Sequence, residues 1–217
     1  MSPFLSTLTS DCASNQILRL TPSKRDNILQ TCSRSSRFLT ILINNAGIQS
    51  LSPVETSKTN VARQAFDVNF HGLLDVTRVF LPVVREGVAK LKLRTQSRGG
   101  NKLNFGGRVI NVGSVAGFTT LPFFGIYAAT KAAVESLTDA LRLEVHADDV
   151  SVILIQPGAV LTEIESKMDR QIDEQVAIAE NLGFENDYAL RMTKMKEVRA
   201  SMRNSIIYFI LGSEIVL

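Results

Sequence analysis

The chain has 217 residues, 45% of them hydrophobic and 21% charged, with 24 Lys and Arg against 21 Asp and Glu and a formal net charge of +3. That is the balance of one ordinary globular domain with room for a sizeable core, and basic residues interspersed with acidic ones are not the footprint of a nucleic-acid binder. Cys12, Cys32, His71 and His146 are scattered, so no metal site is expected; with no apolar run near the roughly 18 to 20 residues that cross a bilayer, the expected compartment is the reduced cytoplasm.

Residues 1–37 form an atypical N-terminal segment, rich in Ser and Thr, in which "ILRLTPSKRDNIL" (17–29) has the pattern of a strand followed by a helix. A continuous apolar run from Phe38 to Ile43 ends in Asn44-Asn45-Ala46-Gly47. Residues 57–84 then place Val61, Ala65, Val68, Leu73, Val76 and Val79 on one helical face. The stretch Arg85 to Arg108 carries Lys90, Lys92, Arg94, Arg98 and Lys102 against Glu86 alone, and reads as a basic, solvated surface insertion.

A second apolar run, Val109 to Val112, ends in Gly113-Ser114. Residues 124–147 repeat the helical spacing with Ala132, Val134, Leu137, Leu141 and Val145, and a third run, Val150 to Ile155, ends in Gln156-Pro157-Gly158. Beyond Glu163 the pattern is helical. There Ile164, Met168, Leu182, Phe184 and Leu190, with Phe118, Leu121, Phe123 and Phe124, are candidates either for an apolar pocket or for ordinary core. The closing "SIIYFILGSEIVL" reads as a last strand.

Apolar runs without alternation predict strands buried on both faces of a parallel sheet, and their alternation with helices predicts a single Rossmann-like, doubly wound α/β domain over 38–217. Ligands of such sheets bind beyond the carboxyl ends of the strands. The three polar strand ends, with Tyr127 and Lys131 at the start of the second helix, therefore open onto one crevice.

A phenol is a poor base at neutral pH, because its reference pKa is about 10. A cation held one helical turn away favours its ionised form, which is a reason to place Lys131 four residues after Tyr127. Ser114, at a strand end, is placed to hydrogen-bond the oxygen with which Tyr127 exchanges a proton. Such a trio suits alcohol–carbonyl interconversion, in which a hydride moves to or from a cofactor because no side chain accepts one. Tyr-x-x-x-Lys alone is a weak signal and also describes an exposed helix pair.

With "NNAG" at 44–47, "NFHG" at 69–72, "NVGSVAG" at 111–117, "YAATK" at 127–131 and "PGAVLT" at 157–162, the chain resembles the classical short-chain dehydrogenase/reductase family over roughly residues 38 to 165. The resemblance implies NAD or NADP as hydride carrier and a small alcohol or carbonyl substrate, apolar in character. It implies Tyr127 as acid/base, Lys131 lowering the tyrosine pKa and holding the nicotinamide ribose, and Ser114 orienting the substrate oxygen. Asn69 would complete the catalytic set through a water-linked relay. Asn44, Ala46 and Gly47 would line the cofactor, and Pro157, Gly158, Val160 and Thr162 would meet the nicotinamide; Asn45 would either brace the sheet or touch the ligand. A homodimer through the helices at 57–84 and 124–147 is a further implication.

One feature departs from that pattern. The first glycine is Gly47 and no G-x-G occurs, although a glycine-rich turn is what lets the backbone approach a pyrophosphate. The expectation is therefore an N-terminally truncated domain lacking its first β-α-β unit. The competing expectation is a catalytically inactive isoform acting as a scaffold or binding protein.

Overall fold

The computed structural model describes residues 39–97, 106–158, 163–181 and 188–197. Its strands are β1 (Ile41–Asn44), β2 (Gly107–Val112) and β3 (Val150–Ile155), which form one parallel sheet in the order β1-β2-β3. The register pairs Asn44 with Asn111 and Val112 with Ile155, so the carboxyl ends of all three strands lie at one edge. Helices are α1 (Thr59–Phe66), α2 (Gly72–Gln96), α3 (Gly125–Glu144) and α4 (Glu163–Asn181), with a further helix, α5, over 188–197. A π-helical turn, Asp67–His71, joins α1 to α2. The parallel α/β class and its strand–helix alternation are those expected from the sequence.

The core lies between the sheet and two helices. Leu42, Val109, Val150 and Val152 point to one face, where Phe80, Val84 and Val88 of α2 meet Leu141 of α3 and Val145 just beyond it. Burying side chains of this kind is worth about 1.5–3 kcal/mol each. Gly87 allows the closest approach, because a Cβ there would lie 2.2 Å from the Leu39 carbonyl oxygen. On the opposite face Ile41 and Ile43 are 39% and 53% exposed. The expectation of strands covered on both faces is therefore met on one face only among the described residues, since α2 and α3 both pack on the same side.

Two helix boundaries differ from the sequence expectation. The helix expected over 57–84 is interrupted by the π turn, whose extra residue changes the phase of the apolar stripe, and Val61 is left 37% exposed. The same helix then continues through half of the supposed insertion, to Gln96. Its buried stripe runs on from Leu73, Thr77, Phe80 and Val84 to Gly87 and Val88, and the basic residues point outward. There Arg85 pairs with Asp148 and Lys92 with Asp149, which ties α2 to the turn before β3. Residues 1–38, including the 17–29 segment, and 205–217 lie outside the described residues.

A buried polar network crosses this core. The Asn44 side-chain amide donates to Asn111 Oδ1 at 2.8 Å and to Thr77 Oγ1 at 3.0 Å, while Asn111 donates to Thr138 Oγ1 at 2.9 Å. Truncating Asn111 strands partners on two elements where water cannot replace it. Asn111→Ala should lower the unfolding free energy by about 2–4 kcal/mol in urea titrations. Glu86→Ala, which removes only an exposed helix pair with Lys90, should change it by less than about 0.5 kcal/mol.

Candidate active site

Beyond the strand ends the backbone continues the pairing of the sheet. Gly113 N–H donates to Ile155 O at 2.8 Å and Val115 N–H to Pro157 O at 3.0 Å. The Ser114 backbone is extended, and its Oγ accepts the Ala116 N–H at 3.2 Å, capping a single 3-10 turn over Val115–Gly117. A Cβ on Gly117 would come within 2.9 Å of Glu135 Oε2, and the same oxygen accepts from Gln156 Nε2 at 3.1 Å. Glu135 of α3 thus bonds the loop after β3 and lies close against Gly117 of the loop after β2.

Tyr127 lies in the first turn of α3, and its hydroxyl is hydrogen-bonded to the Ser114 side chain. One turn on, Lys131 is buried, with Nζ 5.7 Å from the Tyr127 ring centroid and donating to Val112 O at 3.0 Å. Burial pushes the Tyr127 pKa above 10.0, opposed by the Ser114 hydrogen bond, while burial lowers Lys131 from 10.5 to about 8. Lys131 is not among the causes of the Tyr127 shift: its ammonium donates to a strand carbonyl and lies over the ring. At neutral pH Tyr127 is a protonated donor.

Asn69 projects from the π turn and is 1% exposed. Its Oδ1 accepts the Ile48 N–H at 2.7 Å, and its amide donates to Ile48 O and to Thr130 Oγ1, both at 2.9 Å. Thr130 in turn donates to Tyr127 O at 2.7 Å. Asn69 is thus a clamp between the loop after β1 and α3. Sequence reasoning passed over Thr130, although it stands inside the "YAATK" segment one residue before Lys131.

The two strand-end asparagines take different parts. The Asn44 side chain braces the sheet from inside, whereas Asn45, Ala46 and Gly47 are exposed at the crevice. An ideal Cβ on Gly47 would lie 3.4 Å from Asn69 Oδ1 and 3.5 Å from Lys131 Nζ, so the glycine leaves the Lys131 ammonium uncovered from this side. Pro157 and Gly158 follow β3 at the same edge, and nothing lies within 4 Å of a Cβ on Gly158. Val160 and Thr162 lie outside the described residues, as do Leu182 and Phe184. Of the other pocket candidates, Phe118, Leu121 and Leu190 are exposed, while Phe123, Phe124 and Met168 pack against the core of Leu51, Ile172 and Met192.

The residues present fit the nicotinamide end of a dinucleotide: exposed backbone after β1, a bare glycine and a lysine with hydrogen-bond donors remaining after Val112 O. Among the described residues no group of His, Cys, Asp and Glu is arranged to hold a metal ion, and no helix is long and apolar enough to cross a membrane.

A Rossmann-like α/β domain with serine, tyrosine and lysine gathered at its strand ends defines the class of molecule. A family model described as short chain dehydrogenase matches residues 18–173, and the chain belongs to that family. The match starts well upstream of Asn44, where the quoted motifs begin. A 3-ketodihydrosphingosine reductase of Bacteroides thetaiotaomicron is 31% identical over 178 residues, 81% of this chain and 56% of that protein. An NADPH-dependent 3-dehydrocapnine reductase of Ornithobacterium rhinotracheale is 34% identical over 129 residues, 59% of this chain and 41% of that protein. The chain thus spans about half the length of these curated relatives. A short chain dehydrogenase from Burkholderia cenocepacia J2315, solved in complex with NADP, shares 30% identity at a TM-score of 0.51, covering 64% of this chain and 53% of that one.

The buried lysine has a thermodynamic signature. Between about pH 8 and 10 the folded protein has shed the Lys131 proton that the unfolded chain still carries, so stability rises with pH in that window. Above pH 10 Tyr127 acts in the opposite sense, because the folded state then retains a proton that the unfolded one loses. The gain in unfolding free energy from pH 7.5 to 9.5 should be smaller in Lys131→Met than in the wild type, by on the order of 1–2 kcal/mol in urea titrations.

Proposed function

We propose that the protein interconverts an alcohol and a carbonyl by NAD(P)-dependent hydride transfer, with Tyr127 as acid/base. The observation that carries this reading is the gathering of Ser114, Tyr127 and Lys131 at the strand ends, with the Lys131 ammonium 5.7 Å from the Tyr127 ring centroid. The dinucleotide supplies or accepts the hydride at the reacting carbon. Ser114 orients the substrate oxygen, and Tyr127, kept protonated by burial, delivers its proton to that oxygen in the reducing direction. With a pKa of about 8, Lys131 is mostly protonated at neutral pH and offers its free N–H groups to ribose hydroxyls beside Gly47. Asn69 keeps Ile48 and Thr130 in place around this point rather than entering the reaction. Ala46, Gly47, Pro157, Gly158, Val160 and Thr162 are the proposed cofactor contacts, and Asn44 contributes through the sheet.

The substrate class follows less directly. Relatives are named for a ketosphingoid base and, in the case of a Bos taurus protein 31% identical over 147 residues, for retinol. Together with the exposed Phe118 and Leu121 beside the site, these names support a long apolar alcohol or ketone.

The test is calorimetric titration of the full chain with NADH and NADPH, followed by turnover with retinal and 3-ketodihydrosphingosine. Tyr127→Phe should retain dinucleotide binding and lose turnover by about 100-fold or more. Unchanged turnover in that variant would sink the proposal. A folded protein that bound neither dinucleotide would favour a non-catalytic binding role, for which the absence of any G-x-G is the supporting observation.

A further inference from the structure

We propose that Phe123 is a positioning residue for Tyr127: its strained backbone turn, clamped from outside by Tyr188 of α5, fixes where α3 begins. The proposal rests on the acid/base reading of Tyr127.

Among the described residues two that are not glycine have positive φ, Phe123 at 71° and Asp149 at 54°. Aspartate visits the left-handed region with little penalty, but an aromatic side chain is seldom found there. Such a conformation persists only where its surroundings over-determine it.

Those surroundings can be named. Ser52 N–H donates to Phe123 O at 3.0 Å. The Phe123 ring meets the Tyr188 ring edge-on, with centroids 6.4 Å apart and planes at 82°. Tyr188 is itself tied to the loop after β1, its hydroxyl donating to Glu55 Oε2 at 2.6 Å. Beneath them Phe123 and Phe124 pack on Leu51, Ile172 and Met192, which joins α4, α5 and that loop into one cover.

The consequence falls on the helix. Phe124 N–H donates back to Leu121 O at 3.1 Å, and Ala128 N–H donates to Phe124 O at 2.8 Å as the helical ladder begins. The torsion at Phe123 therefore sets the direction in which the first turn leaves, and Tyr127 lies in that turn. Phe123 has no polar side-chain atom, so it acts on the reaction only through the place it gives Tyr127. A displacement of about an ångström at that point is enough to cost on the order of 100-fold in rate.

The experiment compares Tyr188→Phe with Tyr188→Ala in the full chain. Both variants are made in a Tyr208→Phe background, which leaves Tyr127 as the one tyrosine of a chain without tryptophan, so phenolate absorbance follows Tyr127 directly. Ser114 and Lys131, the polar groups facing Tyr127, are unaltered in both. Tyr188→Phe keeps the ring and should preserve the raised Tyr127 titration midpoint. Tyr188→Ala should move it down toward 10.0 and reduce kcat about 10- to 100-fold, with dinucleotide affinity unchanged.

Adding Phe123→Gly to Tyr188→Ala should restore the midpoint at least in part, because glycine holds a positive φ without support. Equal midpoints in Tyr188→Ala and Tyr188→Phe would overturn the proposal. So would failure of the glycine to restore the midpoint in a protein whose circular dichroism shows native helix content. Should Tyr188→Ala not fold, Tyr188→Leu, which keeps bulk without the ring edge, takes its place with the same expectations. The titration needs no substrate: were Tyr127 not the acid/base, its midpoint would still move while any turnover stayed constant.

Discussion

Everything at the strand ends depends on Asn111, a fully buried amide next to the carboxyl end of β2. It accepts from Asn44 on β1 and donates to Thr138 on α3, while Asn44 also reaches Thr77 on α2. Four elements are thereby fixed against one another by groups that have no alternative partner in an apolar layer. Three of those elements carry the site: β1 leads into Gly47, β2 into Ser114, and α3 holds Tyr127 and Lys131. A slip of one residue in either strand pairing would turn the asparagines out of the layer and separate Ser114 from Tyr127.

The electrostatics of the crevice follow from burial more than from charge pairing. A lysine 5% exposed loses basicity because its charged form is poorly solvated, and the neighbouring phenol gains pKa for the same reason. Both groups are driven toward their neutral forms. For Tyr127 that means, in the proposed acid/base role, a proton available for an incoming carbonyl oxygen. For Lys131 it means a charge that a polar ligand over Gly47 would help to stabilise, which gives binding and protonation a common sign.

Much of this was legible in the sequence. The three apolar runs became β1, β2 and β3 to within a few residues, because a short β-branched run ending in Gly, Asn or Pro has few other uses in a chain of this composition. The joint placement of Ser114, Tyr127 and Lys131 was readable because a strand end and a first helical turn are both fixed by sequence position. Two things were hidden. A π turn leaves no pattern of its own in "DVNFH", so the shift of phase at Asn69 and the outward turn of Val61 could not be anticipated. The different parts of Asn44 and Asn45 turn on which of two adjacent amides faces the core, and that is decided by the pleat of β1, where Leu42 and Asn44 point inward.

The part of the crevice that gathers Ser114, Tyr127 and Lys131 is separable from any part that would hold a dinucleotide's phosphates. Ser114 is placed by β2 and the loop after β3, Lys131 by the Val112 carbonyl, and Tyr127 by Ser114, Thr130 and the turn at Phe123. Asn69 links that group to Ile48 without reaching beyond β1 and the π turn. Each of these bonds joins residues between Ile48 and Pro157, so the reacting geometry needs nothing from a glycine-rich turn. Such a turn adds affinity for the cofactor; the orientation of the oxygen-binding groups is already fixed by the sheet and by α3.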